Sequence, residues 1–302
     1  MFLGAVYGEI VIDDFVDLKK GRGKEIVPDM SNKNTIKRKK WNNYLVIGLI
    51  MTGITLAIAV TGTFWTPYEA TAMSASEKFA APTLRHLFGT DNFGRDIFSR
   101  VMEGVGTTVL ISVLVVMAAS LVGIIVGALT GYFGGIVDEV MMRVTDAING
   151  FPSILLALVV ISVLGTGVDK LILALAIVFC PSFIRIVRSE FIKYRDADFV
   201  VRARLMGVRN MRILFVHILP NIFSTFLVSI MIGFNNAILA ESGMSFLGIG
   251  VQPPDASLGK MLSDAQGYLG SAPWYALAPG LSIVWIVLGL SLLGEGIRRQ
   301  GE

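Results

Sequence analysis

The sequence predicts an all-α integral membrane protein with about six transmembrane helices. Two features of composition indicate this class: 54% of the 302 residues are hydrophobic and only 16% are charged, whereas about a quarter are charged in an ordinary soluble domain. The third is the recurrence of long stretches without Asp, Glu, Lys or Arg, because a helix that crosses the hydrocarbon core needs about 20 apolar residues. A net charge of +3 gives no sign of nucleic-acid binding. The single cysteine, Cys180, excludes an internal disulfide and a cysteine metal site.

Five charge-free stretches are long enough to cross the membrane on their own. They cover residues 41–68, 104–137, 147–168, 213–240 and 265–294. A sixth stretch, residues 171–184, is short and spans only if its helix continues past Arg185 and Arg188, whose long side chains can extend to the membrane surface.

The Lys and Arg residues predict the orientation of these spans. Twenty of the 26 fall on the side that holds the chain termini, and positive charge accumulates on the cytoplasmic side. Both termini are therefore predicted to be cytoplasmic, in the cell (plasma or inner) membrane. The predicted order is a cytoplasmic tail (1–40), a first transmembrane helix (41–65), an external loop (66–103) and a five-helix domain (104–298). Basic residues 37–40 are expected to orient the first helix, with binding to the lipid surface as the alternative.

The predicted external loop holds signals for the start of the second span. Thr90 or Asp91 is expected to cap a helix that runs into this span, and Gly89 and Gly94 to mark turns. Capping and packing explain these residues, and a docking surface for an external partner is the alternative.

A cytoplasmic loop, residues 190–217, is too long for a plain connector. Phe199, Ala203 and Met206 recur at helical spacing while arginines occupy the other faces, which predicts a short basic amphipathic helix that ends at Gly207. A second helix is expected over residues 210–217, and the fifth span near Pro220. A helix that lies on anionic lipid is the alternative interpretation.

Glu241 is the best candidate for a functional charge at membrane depth. It directly follows a charge-free run, and Asn235 and Asn236 lie within two turns of it. Ionisable groups in this position are costly and often functional, so the three residues are candidates for the pathway or a gate. A solvated carboxylate at a helix end is the alternative. In the second span, Gly123, Gly127 and Gly131 are expected to form a smooth face for helix packing.

The cytoplasmic loop resembles a known signature. Ala203-x3-Gly207-x11-Leu219-Pro220 is similar to the loop motif of the membrane subunits of binding-protein-dependent ABC importers, which reads Glu-Ala-Ala, three residues, Gly, nine residues, Ile, one residue, Leu-Pro. Val201 and Arg202 stand in place of the Glu and the first Ala, and His217 in place of the Ile. Residues 89–100, 217–221 and 243–254 are similar to the dipeptide, oligopeptide and nickel permease group.

This resemblance implies a type I ABC importer permease architecture. A second homologous permease subunit would complete the channel, two cytoplasmic ABC ATPase subunits would bind ATP and Mg, and an external substrate-binding protein would deliver the substrate. The loop helix would fit a cleft on the ATPase, and the residues that match the motif region are the candidate coupling residues: Phe199, Val201, Arg202, Ala203, Met206, Gly207, Leu219 and Pro220.

The sequence predicts no chemistry of its own. It has no G-x-x-x-x-G-K-[ST] phosphate loop, no H-E-x-x-H and no G-x-S-x-G, so we expect neither enzymatic activity nor a cofactor or metal bound by this chain. Dipeptides or oligopeptides are the expected substrates, with nickel or a metal chelate as the alternative. A secondary transporter is less favoured, because it would show two similar halves and intramembrane charges for ion coupling.

Overall fold

A computed structural model of the protein describes residues 42–301; the predicted tail and its basic cluster lie outside these residues. The helices of the described part are α1 (Asn43–Phe64), α2 (Ile97–Phe133), α3 (Gly135–Asn149), α4 (Ser153–Leu164), α5 (Val168–Tyr194), α6 (Asp198–Leu205), α7 (Asn210–Phe246), α8 (Leu258–Ala265) and α9 (Pro273–Gly301). Helices α1, α2, α5, α7 and α9 are each long and apolar enough to cross a membrane, and the bent pair α3 and α4 makes a sixth passage if it counts as one span. The predicted all-α membrane class is confirmed.

Helix α2 begins at Ile97, ahead of the charge-free stretch that predicted it. Its cap is Asp96, whose Oδ2 accepts hydrogen bonds from the Ser99 backbone N at 2.8 Å and the Ser99 Oγ at 2.7 Å. The predicted cap at Thr90 or Asp91 is therefore wrong. The charge-free criterion missed the first turns because Arg100 is buried within them and donates to the carbonyl oxygen of Ala70.

The segment that precedes α2 folds onto the helical bundle. Gly89 and Gly94 adopt φ angles of 73° and 76°, so the predicted turns are confirmed. His86 is buried, and its Nδ1 lies 2.9 Å from Asp96 Oδ1. We call this side of the bundle, which carries residues 65–96, the loop end.

The predicted third span is not one straight helix. Helices α3 and α4 meet at an angle of 93°, and α4 has only 12 residues. The break falls at Gly150 and Pro152, because proline disfavours the helical conformation in the residue before it. The charge-free stretch 147–168 gave no indication of this break, because the bend introduces no charged residue.

Helix α5 continues past Arg185 and Arg188, as the short charge-free stretch 171–184 needed in order to span the membrane. Their side chains do not simply extend to the membrane surface. Arg185 Nη2 lies 2.8 Å from Asp146 Oδ1, and Arg188 Nη2 lies 2.6 Å from Asp138 Oδ2. These ion pairs hold α3 against the end of α5.

Glycines allow α2 and α5 to pack closely. A Cβ atom at Gly123 would lie 2.4 Å from Phe183 Cβ, and Cβ atoms at Gly127 and Gly131 would lie 2.7 and 2.6 Å from backbone oxygens of α5. Real Cβ contacts are longer than this, so the predicted packing face is confirmed. The contacts also show that α2 and α5 run parallel, since later residues of one meet later residues of the other.

Helix α1 packs against two partners. Near its start, a Cβ at Gly48 would lie 2.3 Å from the backbone N of Leu293 in α9, and near its end a Cβ at Gly62 would lie 2.4 Å from the carbonyl oxygen of Met102 in α2. Helix α1 therefore contacts α9 at one end of the bundle and α2 at the other.

Candidate functional site

Helix α6 is a short exposed helix at the end of the bundle opposite the loop end. It buries Val200 and Ala203, which belong to the core cluster shared with α2, α5 and α7. Apart from the exposed Asp198 at its start, the exposed side chains of the segment are apolar or cationic, and they are Phe199, Val201, Arg202, Arg204, Leu205 and Met206. Such a mixed surface is typical of a site that contacts another protein or a membrane surface.

Ala203 does not share a face with Phe199 and Met206, as the helical spacing had suggested. It is 3% exposed and points into the core, whereas Phe199 and Met206 are exposed. The inward face is formed by residues 200 and 203, three apart in the sequence. The spacing alone could not show which side of this eight-residue helix meets the bundle.

The end of α6 is a Schellman motif. Val208 N donates to the carbonyl oxygen of Ala203 at 3.1 Å, and Gly207 N donates to that of Arg204 at 3.0 Å. Gly207 has φ 77°, the left-handed conformation that glycine adopts without a steric cost. The predicted end of the helix at Gly207 is confirmed. The motif turns the chain from α6 into α7.

Tyr132 joins α6 to the rest of the bundle, and the sequence pattern gave no signal for it. Its hydroxyl donates to Asn210 Oδ1 at 3.2 Å and accepts from Arg204 Nη2 at 3.4 Å. The Arg204 guanidinium also lies 5.5 Å from the centre of the Tyr132 ring, within the range of a cation–π interaction. One buried tyrosine of α2 therefore contacts both α6 and the start of α7.

Residues 210–217 do not form a separate helix. They are the first turns of α7, which runs without interruption to Phe246. Residues Ile213–Ile218 have π-helical hydrogen bonding, and this wider turn accommodates Pro220, whose ring disturbs the regular α-helical ladder. Leu219 packs partly buried on the core, and Pro220 is exposed.

Glu241 lies fully buried in α7 and is not a solvated carboxylate at a helix end. Ser245 Oγ donates to its Oε1 at 2.7 Å and Ser242 Oγ lies 3.4 Å from its Oε2, while the hydroxyls of Thr108 in α2 and Ser257 before α8 lie near the carboxylate. A buried carboxylate requires such donors. Glu241 thus connects α7, α2 and the segment that leads into α8.

The three pathway candidates have different surroundings. Asn235 Nδ2 donates to Ser291 Oγ of α9 at 2.9 Å, and Asn236 is exposed. Neither shares a hydrogen-bond partner with Glu241 in the described residues. The structure does not bring the three together into one polar cluster. Among residues 42–301, no three His, Cys, Asp or Glu side chains are placed to hold a metal ion.

The family of the chain follows from comparison with known proteins. Residues 119–300 match the model of the binding-protein-dependent transport system inner membrane component. The chain belongs to this family. It is therefore a multi-pass membrane protein and the permease subunit of an ABC importer, as the loop motif had suggested.

Curated relatives match nearly the whole chain. The dipeptide transport system permease protein DppC of Alkalihalophilus pseudofirmus is 38% identical over 266 residues, which cover 88% of each chain. DppC of Haemophilus influenzae is 34% identical, over 86% of this chain and 90% of its own. The glutathione transport system permease protein GsiD of Pectobacterium atrosepticum is 33% identical, over 86% and 89%. A permease of this family works with an ATPase and a substrate-binding protein.

Proposed function

We propose that this permease forms one half of the transmembrane channel of a peptide importer and that α6 couples it to a cytoplasmic ATPase. A second permease subunit would form the other half, and two ATPase subunits would bind ATP and Mg. This chain itself would carry out no chemical step. Peptides are the proposed substrates because relatives that match 86–88% of this chain are named for dipeptide or glutathione transport.

The observation that carries the coupling proposal is the exposed surface of α6. Leu205 is 83% exposed and Met206 is 76% exposed, and arginines flank them. Large exposed apolar side chains near one another mark a surface that a partner covers. The Schellman motif at Gly207 and the contacts of Tyr132 fix this surface relative to α2 and α7, so a force applied to α6 would reach two membrane-spanning helices.

The charge distribution supports placing α6 in the cytoplasm. Arg143, Arg185, Arg188 and the arginines of α6 all lie at the end of the bundle that holds α6, whereas Lys78, Arg85 and Lys260 lie at the loop end. The positive-inside rule then supports a cytoplasmic location for the α6 end, where residues 42 and 301 also lie.

A pair of exposed leucines tests the coupling site. Leu205→Glu places a charge in the proposed ATPase contact, and we expect co-purification of the ATPase and ATP-dependent uptake of a labelled dipeptide to fall at least about tenfold, as for a residue at the centre of an interface. Leu84→Glu is the matched control, because Leu84 is 99% exposed at the loop end. It should leave ATPase binding unchanged.

Two outcomes would contradict the proposal. Normal ATPase binding and uptake by the Leu205→Glu variant would favour the lipid-surface interpretation of α6. Uptake of nickel or a nickel chelate in place of the dipeptide would leave the coupling site intact and change the substrate.

A further inference from the structure

Helix α3 buries little of its surface. Of its 15 residues, all of which the structure describes, Thr145 alone is buried, whereas Ile136, Val137 and Val140 are each more than half exposed. Elements with few buried apolar contacts are those that move most readily. Apolar packing alone therefore does not fix α3 against the bundle.

The two ends of α3 are suited to act as hinges. Gly134 and Gly135 join α2 to α3 with φ angles of 64° and 68°, which glycine adopts without a steric cost. No atom lies within 4 Å of a Cβ placed at Gly135. At the other end, the 93° bend at Gly150 and Pro152 separates α3 from α4. Hinges are a few residues at the ends of elements that absorb changes of φ and ψ, and α3 lies between two such places.

Two ion pairs join α3 to α5, and they differ in geometry. Arg188 donates two hydrogen bonds to Asp138, from Nε to Oδ1 and from Nη2 to Oδ2 at 2.6 Å, and the two side chains are only 26% and 17% exposed. Arg185 donates one bond to Asp146, and both side chains are more than half exposed. Exposed pairs contribute little, whereas a two-pronged arginine–carboxylate pair shielded from solvent fixes distance and angle. Asp138–Arg188 is therefore the stronger of the two joints.

The position of Arg188 connects this joint to α6. Helix α5 ends at Tyr194, within two turns of Arg188, and α6 begins at Asp198. The backbone of Arg188 also lies close to α2, since a Cβ at Gly131 would be 2.6 Å from its carbonyl oxygen. A displacement of α6 would thus be felt at the end of α5 that carries Arg188.

We propose that α3 is a movable arm and that Asp138 and Arg188 are positioning residues that make it follow the end of α5 when α6 moves. The proposal rests on the coupling role of α6 and adds a second route from the ATPase into the membrane, from α5 through α3 to the bend that leads into α4. Without the pair, α3 would keep its hinges and lose its stronger joint, and it would take several positions relative to the bundle.

Distances between spin labels, measured by electron paramagnetic resonance, test the arm directly. The sample is the full chain in a Cys180→Ser background, purified in mild detergent with the subunits that accompany it. Val144→Cys on α3 and Leu110→Cys on α2 are exposed positions for the labels. We expect one narrow distance distribution in this background and a broader one after Asp138→Asn.

Glu139→Gln is the matched control. It removes a carboxylate from the neighbouring residue, whose partner Arg143 lies in α3 itself, and it should leave the distribution unchanged. Equal distributions with and without Asp138→Asn would overturn the proposal, and so would equal broadening by Asp138→Asn and Glu139→Gln.

Transport measurements test whether the arm takes part in import. We expect Asp138→Asn to lower peptide uptake per ATP hydrolysed at least about fivefold, the lower end of the range for coupled sites, while ATPase binding and hydrolysis stay normal. Arg188→Gln should do the same, and the double variant should be no worse than either single variant, because paired residues act as one unit.

The outcomes separate this proposal from the coupling role of α6. A normal ratio of uptake to hydrolysis in Asp138→Asn, or losses that add in the double variant, would overturn the arm even if Leu205→Glu releases the ATPase. The double variant leaves neither charge without its partner, so it decides the question if a single variant fails to assemble, and a normal ratio in it would overturn the proposal as well.

Discussion

At the scale of single residues, the conformation of Gly207 sets the direction in which the chain leaves α6. Its φ of 77° lies in the left-handed region, and no atom lies within 4 Å of a Cβ placed there. The cost of replacing it is thus one of backbone conformation and not of space, about 1–2 kcal/mol for a residue with a Cβ. A β-branched residue is the least suited to this conformation.

Gly207→Val should therefore misdirect the link between α6 and α7 without affecting insertion into the membrane. We expect less peptide uptake per ATP hydrolysed, measured in proteoliposomes that contain the assembled importer. Gly207→Asn is the matched control, because asparagine tolerates left-handed backbone better than other residues with a side chain, and it should retain most of the coupling. Equal coupling in both variants would show that the motif at Gly207 does not transmit motion.

Tyr132 provides a second test at this scale, because its hydroxyl connects α2 to both α6 and α7. Tyr132→Phe keeps the ring beside Arg204 and removes the hydrogen bonds to Asn210 and Arg204, each worth about 1 kcal/mol. We expect normal assembly and ATP hydrolysis but a lower ratio of uptake to hydrolysis. Tyr44→Phe is the control, since Tyr44 is exposed on α1. An unchanged ratio in the Tyr132 variant would assign the hydroxyl a purely structural role.

At the scale of helices, the contact between α2 and α5 depends on the absence of side chains. A Cβ at Gly127 would lie 2.7 Å from the carbonyl oxygen of Ile184 and 2.8 Å from Val187 Cβ, and neither atom can move without shifting α5. Gly127→Ala should therefore destabilise the protein by about 1–3 kcal/mol, the usual cost of overpacking. Gly53→Ala on α1 meets nothing within 4 Å and should be neutral or stabilising.

The measurement is the temperature at which each purified variant loses its monodisperse elution peak. We expect a clear decrease for Gly127→Ala and none for Gly53→Ala. Equal midpoints for the two variants would mean that α2 and α5 are not in close contact. This comparison isolates packing, because both substitutions add one methyl group to a helical glycine.

Helix boundaries show how far the sequence could predict the fold. Charge-free length identified the spanning helices because the bilayer penalises unpaired charge. This criterion placed a helix boundary wrongly where the protein supplies a partner for a charge, as for Arg100 in the first turn of α2. It also gave no sign of the bend at Gly150 and Pro152. Glu241 was recognised as unusual from its position in the sequence, and its hydroxyl partners Ser242 and Ser245 are local to α7. Its complete burial depends on packing against other elements, which no local pattern predicts. The same holds for Tyr132 and for the inward orientation of Ala203.

At the scale of the whole molecule, the parallel arrangement of α2 and α5 determines the number of membrane passages. Both helices run from the loop end to the α6 end, so the chain must return between them through α3 and α4. Ion pairs of Asp138 and Asp146 hold α3 beside the end of α5, and the return is therefore made by α4, about 18 Å long at 1.5 Å per residue. The bent pair is then one passage, the total is six, and residues 42 and 301 lie on the same side.

Thiol labelling tests this arrangement together with its orientation. In a Cys180→Ser background, Leu84→Cys and Asp255→Cys place exposed thiols at the loop end, and Glu139→Cys places one on α3 at the α6 end. Because 11 of the 17 Lys and Arg residues in the described part of the chain lie at the α6 end, we expect an impermeant maleimide to label the first two in intact cells and Glu139→Cys only after the membrane is permeabilised. Labelling of Glu139→Cys in intact cells would contradict the cytoplasmic placement of α6, and with it the access of an ATPase to the coupling surface. Labelling of Leu84→Cys without Asp255→Cys would instead contradict the six-passage count, since the two positions would then lie on opposite sides of the membrane.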